Sequence, residues 1–209
     1  MLRYRQTLMR NRSMKRAAFS ATITAIALLG SVSVASAETI NCPRNIINRT
    51  VDNVFVNGTC TIRQSTVQGN IVVASNGNLL VQGSTILGSV QSEGGVRVRL
   101  QPNPTTGRET FVNGDVRLRD MVPGTNASTV IDVAVGGTVL IDSNDAPTNL
   151  FGNDVNGDVQ VFQNTRVVRI RDNTIDGNLQ CTSNTPAPVN GGGNIVQGND
   201  ENQCAGFSQ

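Results

Sequence analysis

The 209-residue chain contains no histidine and no tryptophan, and aromatic residues make up only 3% of it. Lysine and tyrosine occur once each, as Lys15 and Tyr4. Without His there is no Ser-His-Asp or Cys-His catalytic pair and no His-ligated zinc. Long apolar runs are also missing. The longest candidate, residues 17–29, is shorter than the ~20 residues that a membrane-spanning helix needs.

What surrounds that run gives it a meaning. Arg3, Arg5, Arg10, Arg12, Lys15 and Arg16 precede it, and Ala35-Ser36-Ala37 follows. A charged region, a short apolar region and an A-x-A site predict a Sec-type signal peptide over residues 1–37, cleaved after Ala37. No cysteine follows the apolar run to carry a lipid. Cleavage would remove five of 16 Arg with the only Lys and the only Tyr, leaving 11 Arg, 15 acids and a formal charge of 11 − 15 = −4. The whole-chain charge of +2 therefore belongs to the leader. A basic face for nucleic acid is not expected, nor is membrane insertion after cleavage. The expected destination is secreted, periplasmic or cell-surface.

All four cysteines, Cys42, Cys60, Cys181 and Cys204, lie beyond the leader. An even count in an exported chain predicts disulfides. Of three connectivities, Cys42–Cys60 and Cys181–Cys204 are expected, because two cysteines sit near each end. Free thiols or a metal site are the alternative, without a C-x-x-C spacing to support it.

Between the cysteines one pattern recurs: aliphatic, any residue, Gly, small polar, aliphatic. It appears at Val67–Ile71, Ile86–Val90, Val112–Val116, Val135–Val139, Val155–Val159 and Ile175–Leu179, with a last copy ending at Asp200. The glycines stand 19, 26, 23, 20, 20 and 21 residues apart, the register of a solenoid. Val73, Leu118, Ile141, Val161 and Cys181 continue each copy as one inward column, and Ile62, Val81, Val130, Leu150 and Ile170 form a second. Two longer intervals carry insertions at residues 101–110 and 121–128. The expected fold is all-β, a single-stranded right-handed parallel β-helix of about seven turns, roughly 35 Å long, with disulfide-closed ends. Residues 38–60 are expected as an N-terminal cap, 61–180 as the β-helix and 181–209 as a C-terminal cap with the last turn. Gly is expected to supply positive φ at each corner, with Asn as its substitute and as a source of hydrogen bonds between turns.

The corner Asn173-Thr174-Ile175-Asp176-Gly177-Asn178 resembles right-handed parallel β-helix families, many of which process polysaccharides. The tail, with Gly177-Asn178-Leu179-Gln180-Cys181, Pro186-Ala187-Pro188 and Gln203-Cys204, resembles a group of small exported bacterial proteins without an assigned activity. The first resemblance implies a fold more than a chemistry, and the second implies no activity.

For chemistry, the mature chain offers only Asp, Glu, Arg, Ser, Thr and Cys. Asp154, Asp158, Asp172 and Asp176 fall on adjacent turns. Asp158 and Asp176, with Cα atoms roughly 8 Å apart on strand and sheet spacings, are the candidate catalytic pair of a glycosidase- or lyase-type enzyme. No cofactor or metal is expected, the alternative being a Ca²⁺ site made of the four together. Asp beside Gly is also ordinary corner chemistry. Arg97, Arg99, Arg117, Arg119, Arg169 and Arg171 lie at outward strand positions and are candidate ligands for carboxylated sugars, with Arg63 in the column of Arg171. Thr66, Thr85 and Thr174 share a column that Ala134 and Asp154 interrupt, too broken for an ice-binding array. The expectation is a non-catalytic structural or cell-surface interaction module that binds glycans. The alternative is the Asp-based polysaccharide-acting enzyme or calcium-dependent glycan binder. Polysaccharide, a cell-surface component or a second copy stacked end to end are the expected partners.

Overall fold

The structure, a computed structural model, describes residues 38–42, 45–124 and 126–209. The signal-peptide expectation falls on residues 1–37, outside the described residues. From Thr39 to Asn202 the chain is a succession of short parallel strands with no helix among the described residues. Every third strand pairs with the one three before it, so three parallel sheets form. Sheet A has nine strands, from Thr39–Asn41 to Asp200–Asn202. Sheet B has eight, from Asn45–Ile47 to Val189–Asn190. Sheet C has eight, from Thr50–Val51 to Ile195–Val196. This is a three-sided parallel β-solenoid of eight turns with a ninth strand on sheet A.

Both expected inward columns are present. Val73, Ser92, Leu118, Ile141, Val161 and Cys181 are in register along sheet A. Ile62, Val81, Leu100, Val130, Leu150 and Ile170 are in register along sheet B. All are buried. Leu100 escaped the repeat because the 101–110 insertion displaces it from the next glycine. Valine, isoleucine and leucine dominate the core, and Phe207 is its only aromatic member, at the C-terminal end. The insertions leave at two corners, one after strand Arg97–Gln101 and the other before strand Ser128–Ile131.

There is one more turn than expected. Strands Thr39–Asn41, Asn45–Ile47 and Thr50–Val51 form it, and the glycine pattern is missing there because Asp52 occupies that place: the Gly69 N–H donates to Asp52 O at 2.9 Å. No described strand lies beneath Asp52, so no neighbour forbids a side chain.

The role expected of the repeated glycines is corrected. Gly69, Gly88, Gly114, Gly137, Gly157, Gly177 and Gly198 are not in the left-handed region. Each instead donates its N–H to the same position one turn below, as Gly157 does to Gly137 O at 3.0 Å. A Cβ on Gly177 would lie 2.7 Å from Gly157 O, and one on Gly198 the same distance from Gly177 O. Glycine is needed here for the approach of stacked backbones. The positive φ values lie at the other two corners, at Asp120, Ser143, Gln163 and Ser183 between sheets A and B, and at Gln64, Asp132, Gly152 and Asp172 between sheets B and C.

Asparagine takes the left-handed conformation itself at Asn48, Asn76 and Asn202, as expected, but in most of the later turns it follows the left-handed residue. Asn144, Asn164 and Asn184 line one corner and Asn153, Asn173 and Asn194 the other, all buried. Each accepts, through Oδ1, the N–H of its counterpart one turn below or of the residue standing there, and donates Nδ2 to core-strand carbonyls, as Asn173 does to Leu150 O at 2.9 Å. Buried amides are tolerated because every rung is hydrogen-bonded.

Two disulfides close the ends, Cys42–Cys60 and Cys181–Cys204, with Cα separations of 5.7 and 5.3 Å. They indicate an oxidising environment. Among the described residues no helix is long and apolar enough to cross a membrane. After the last strand the tail folds back, burying Cys204 and Phe207. It is pinned where the Ser208 N–H donates to Asp200 Oδ2 at 3.0 Å. That bond, with the Gly206 and Phe207 amides, holds the Asp200 carboxyl below its ordinary value, against the opposing effect of desolvation. A folded-state pKa below the unfolded one stabilises at higher pH and is lost as protons bind. Acidification through about pH 4 and below is therefore expected to loosen the tail. Faster amide exchange at Ser208 than at core amides such as Val161 over that window is the measurement.

Candidate functional site

The expected Arg set is divided between two faces, two on one and four on the other. Arg117 and Arg119 point outward from sheet A, whereas Arg97, Arg99, Arg169 and Arg171 belong to sheet B. Their electrostatic states differ as much as their positions. Arg117 pairs with Asp115 at 2.8 Å and Arg119 with Asp142 at 3.1 Å. On sheet B, Arg171 pairs with Asp172 at 2.7 Å and stacks 4.2 Å from the Phe151 ring centroid. Arg63 donates Nε to the neutral Gln82 side chain at 2.6 Å, and Arg97 donates Nε to Ala127 O at 3.0 Å. Arg99 and Arg169 have no ion pair among the described residues.

The eight strands of sheet B carry five arginines and no aspartate or glutamate. Positive charge is therefore concentrated on one side of a segment, residues 38–209, whose 11 Arg and 15 acids give a formal charge of 11 − 15 = −4. Partial burial, then the adjacent Arg99 charge, holds the Arg97 guanidinium below its ordinary value. Guanidinium basicity is high enough for Arg97 to stay charged.

One outward column of sheet B runs Thr61, Leu80, Arg99, Thr129, Asn149, Arg169 and Val189. Arg99 and Arg169 stand three turns apart, ~14 Å at the spacing of paired strands. Between them lie a hydroxyl and an amide that the residue pattern did not single out. Arg99 Nε, Thr129 Oγ1 and Asn149 Oδ1 are buried without a hydrogen-bond partner. Unsatisfied polar atoms at three consecutive rungs are unusual, since burial without a partner costs about 1–3 kcal/mol each. The two insertions between Arg99 and Thr129 obscure this alignment, because they break the glycine interval on which column assignment depends.

Of the four aspartates, Asp158 and Asp172 make side-chain contacts within the scaffold. Asp158 is a rung of a third ladder at the glycine corner, where the residue after each glycine accepts the N–H of its counterpart one turn above. Asn70 donates in this way to Asn53, Ser89 to Asn70, Asp115 to Ser89 and Thr138 to Asp115. The Asn178 N–H donates to Asp158 Oδ1 at 2.7 Å. Asp172 occupies a left-handed corner at φ 57° on the other edge of sheet C and is tied to Arg171. Asp154 points outward from sheet C between Ala134 and Thr174. Asp176 is exposed and donates its N–H to Val155 O. Among the described residues no group of three or more Asp, Glu, Cys or His is placed to hold a metal ion. In sheet C the Thr column is interrupted by Phe111 as well as by Ala134 and Asp154.

Fold and faces together define a three-sided β-solenoid with one cationic side. Set against known protein families, curated proteins and solved structures, the chain matches none of them, so the side chains alone carry the functional reading.

Proposed function

We propose that the chain is an exported, non-catalytic β-solenoid that works as a rigid surface-interaction module and binds an acidic polysaccharide along sheet B. The reading rests on one observation: five arginines and no acid in the strands of that sheet, with Arg99 and Arg169 lacking any ion pair among the described residues. A carboxylate accepts two parallel bonds from a guanidinium, which favours uronate units over neutral sugars. The Thr129 and Asn149 side chains stand between the two arginines in the same column. Stacked turns hold these groups at a fixed repeat, so a semi-rigid polymer meets a surface that needs no reordering. The exported setting is supported by the leader pattern and the disulfides, and the bacterial one by the resemblance of the tail alone.

Calorimetric titration of residues 38–209 with polygalacturonate tests this reading. Binding is expected to weaken as salt screens it, and Arg99→Ala with Arg169→Ala is expected to weaken it about tenfold or more, equivalent to ~1.4 kcal/mol. Unchanged affinity in that double variant would refute the sheet B assignment. Shortened or unsaturated sugars among the products would refute the non-catalytic assignment.

A further inference from the structure

We infer that the outer face of sheet A carries a second, chemically opposite site, a groove that takes a saccharide ring bearing one ammonium group. A cavity of about 440 Å³ lies over four successive turns of this sheet, within the size range of small-ligand sites. Phe55, Val72, Gln91 and Arg117 are in register along its floor. Glu93 and Arg119, paired in register, stand beside them. The inference does not rest on the sheet B reading, because the two sites share no residue and occupy different sheets.

The floor changes character along its length. Phe55 and the 41%-exposed Val72 make one end apolar. A pyranose presents a C–H face that packs on such a surface, and an aromatic ring is the favoured platform. The other end is polar and its charges are unequally balanced. Asp115 and Asp142 neutralise Arg117 and Arg119 and hold the two guanidiniums in place as hydrogen-bond donors. Glu93 is exposed and has no ion pair or side-chain hydrogen bond among the described residues. The groove is thus left with one uncompensated negative charge. Hydroxyls match Gln91 and the fixed guanidiniums, and an ammonium matches Glu93. An acidic sugar would meet that carboxylate and be repelled, which separates this site from sheet B.

The test titrates residues 38–209, isotopically labelled, with glucosamine oligomers, their N-acetylated counterparts and digalacturonate at about pH 6, where the sugar amine is protonated. Val72 methyl shifts report the groove. Glucosamine oligomers are expected to move them, with binding tenfold or more weaker in Glu93→Gln and weaker also in Phe55→Ala. The Arg99→Ala/Arg169→Ala variant is expected to leave this binding unchanged. Equal binding of the N-acetylated oligomers, an unaltered affinity in Glu93→Gln, or no shift of Val72 with any glucosamine oligomer would each overturn the inference. None of these outcomes bears on polygalacturonate binding, so the two sites stand or fall separately.

Discussion

Asn164→Ala is expected to lower stability by about 4 kcal/mol, from three buried polar groups stranded or weakened at about 1–3 kcal/mol each at most. The Asn164 Oδ1 accepts the Asn144 N–H at 3.1 Å, and its Nδ2 donates to Ile141 O at 3.0 Å and to Asn184 Oδ1 at 2.8 Å. The side chain is 1% exposed, so water cannot take its place without opening the corner. Alanine leaves the Asn144 N–H with no partner and removes one donor from each of two acceptors. The matching change on the surface ladder, Asn178→Ala, is the control. The Asn199 N–H that it strands lies at an exposed corner, where water replaces the lost oxygen, and about 1 kcal/mol or less is expected. Urea unfolding of both variants gives the comparison. Equal losses would mean that the buried ladders contribute no more than the exposed one.

The contrast shows why some of this fold was readable in the residues and some was not. Alternation and the glycine interval carry the inward columns, because burial on one face of a strand is a period-two constraint. The cysteine pairs were readable because each lies near one end. The role of glycine was not. Positive φ and close backbone approach both select glycine, and only the stacked geometry separates them. The corner after Gln163 and the corner before Asn178 look alike as residue strings, yet the first holds a left-handed residue followed by a buried amide, and the second holds neither.

The candidate site was legible in composition but not in arrangement. Outward arginine is visible from strand parity alone, which singled out Arg97 to Arg171. Which arginines share a face depends on counting residues through the 101–110 and 121–128 insertions, and there the repeat interval fails. Asp158 illustrates the opposite limit: a small polar residue after glycine reads equally as a corner cap or as an acid poised for chemistry. The Asn178 N–H at 2.7 Å makes it a rung of the corner ladder. Glu93 was passed over because a lone exposed acid has no pattern. Its lack of a partner becomes visible only when Arg117 and Arg119 are seen to be taken by Asp115 and Asp142.

Gly157→Ala is expected to cost about 3 kcal/mol, in the range of an overpacked interior, and to split the unfolding of the rod. Gly157 lies outside the left-handed region, so φ imposes no penalty on alanine. The added Cβ would stand 2.7 Å from Gly137 O and 2.8 Å from Gly137 C. Both are backbone atoms, and relief requires two turns to move apart. That motion lengthens the bond from the Gly157 N–H to Gly137 O, now 3.0 Å. In a solenoid each turn contacts only its neighbours, so stability is a sum of turns and interfaces. A weakened interface near the middle uncouples the turns below from those above. Two comparisons isolate the cause. Gly107→Ala, at φ 69° with nothing within 4 Å of the new Cβ, meets only the left-handed penalty of about 1–2 kcal/mol. Gly58→Ala, in open space and outside that region, restricts the unfolded chain and is expected to be neutral or stabilising by up to about 1 kcal/mol. Calorimetric scans of the three variants rank them Gly157, Gly107, Gly58 in loss of stability, with a second transition in the first alone. A Gly157→Ala chain that melts in one step near the parent temperature would show that adjacent turns can part at that corner without strain, and that the glycine column answers to some need other than the closeness of the stack.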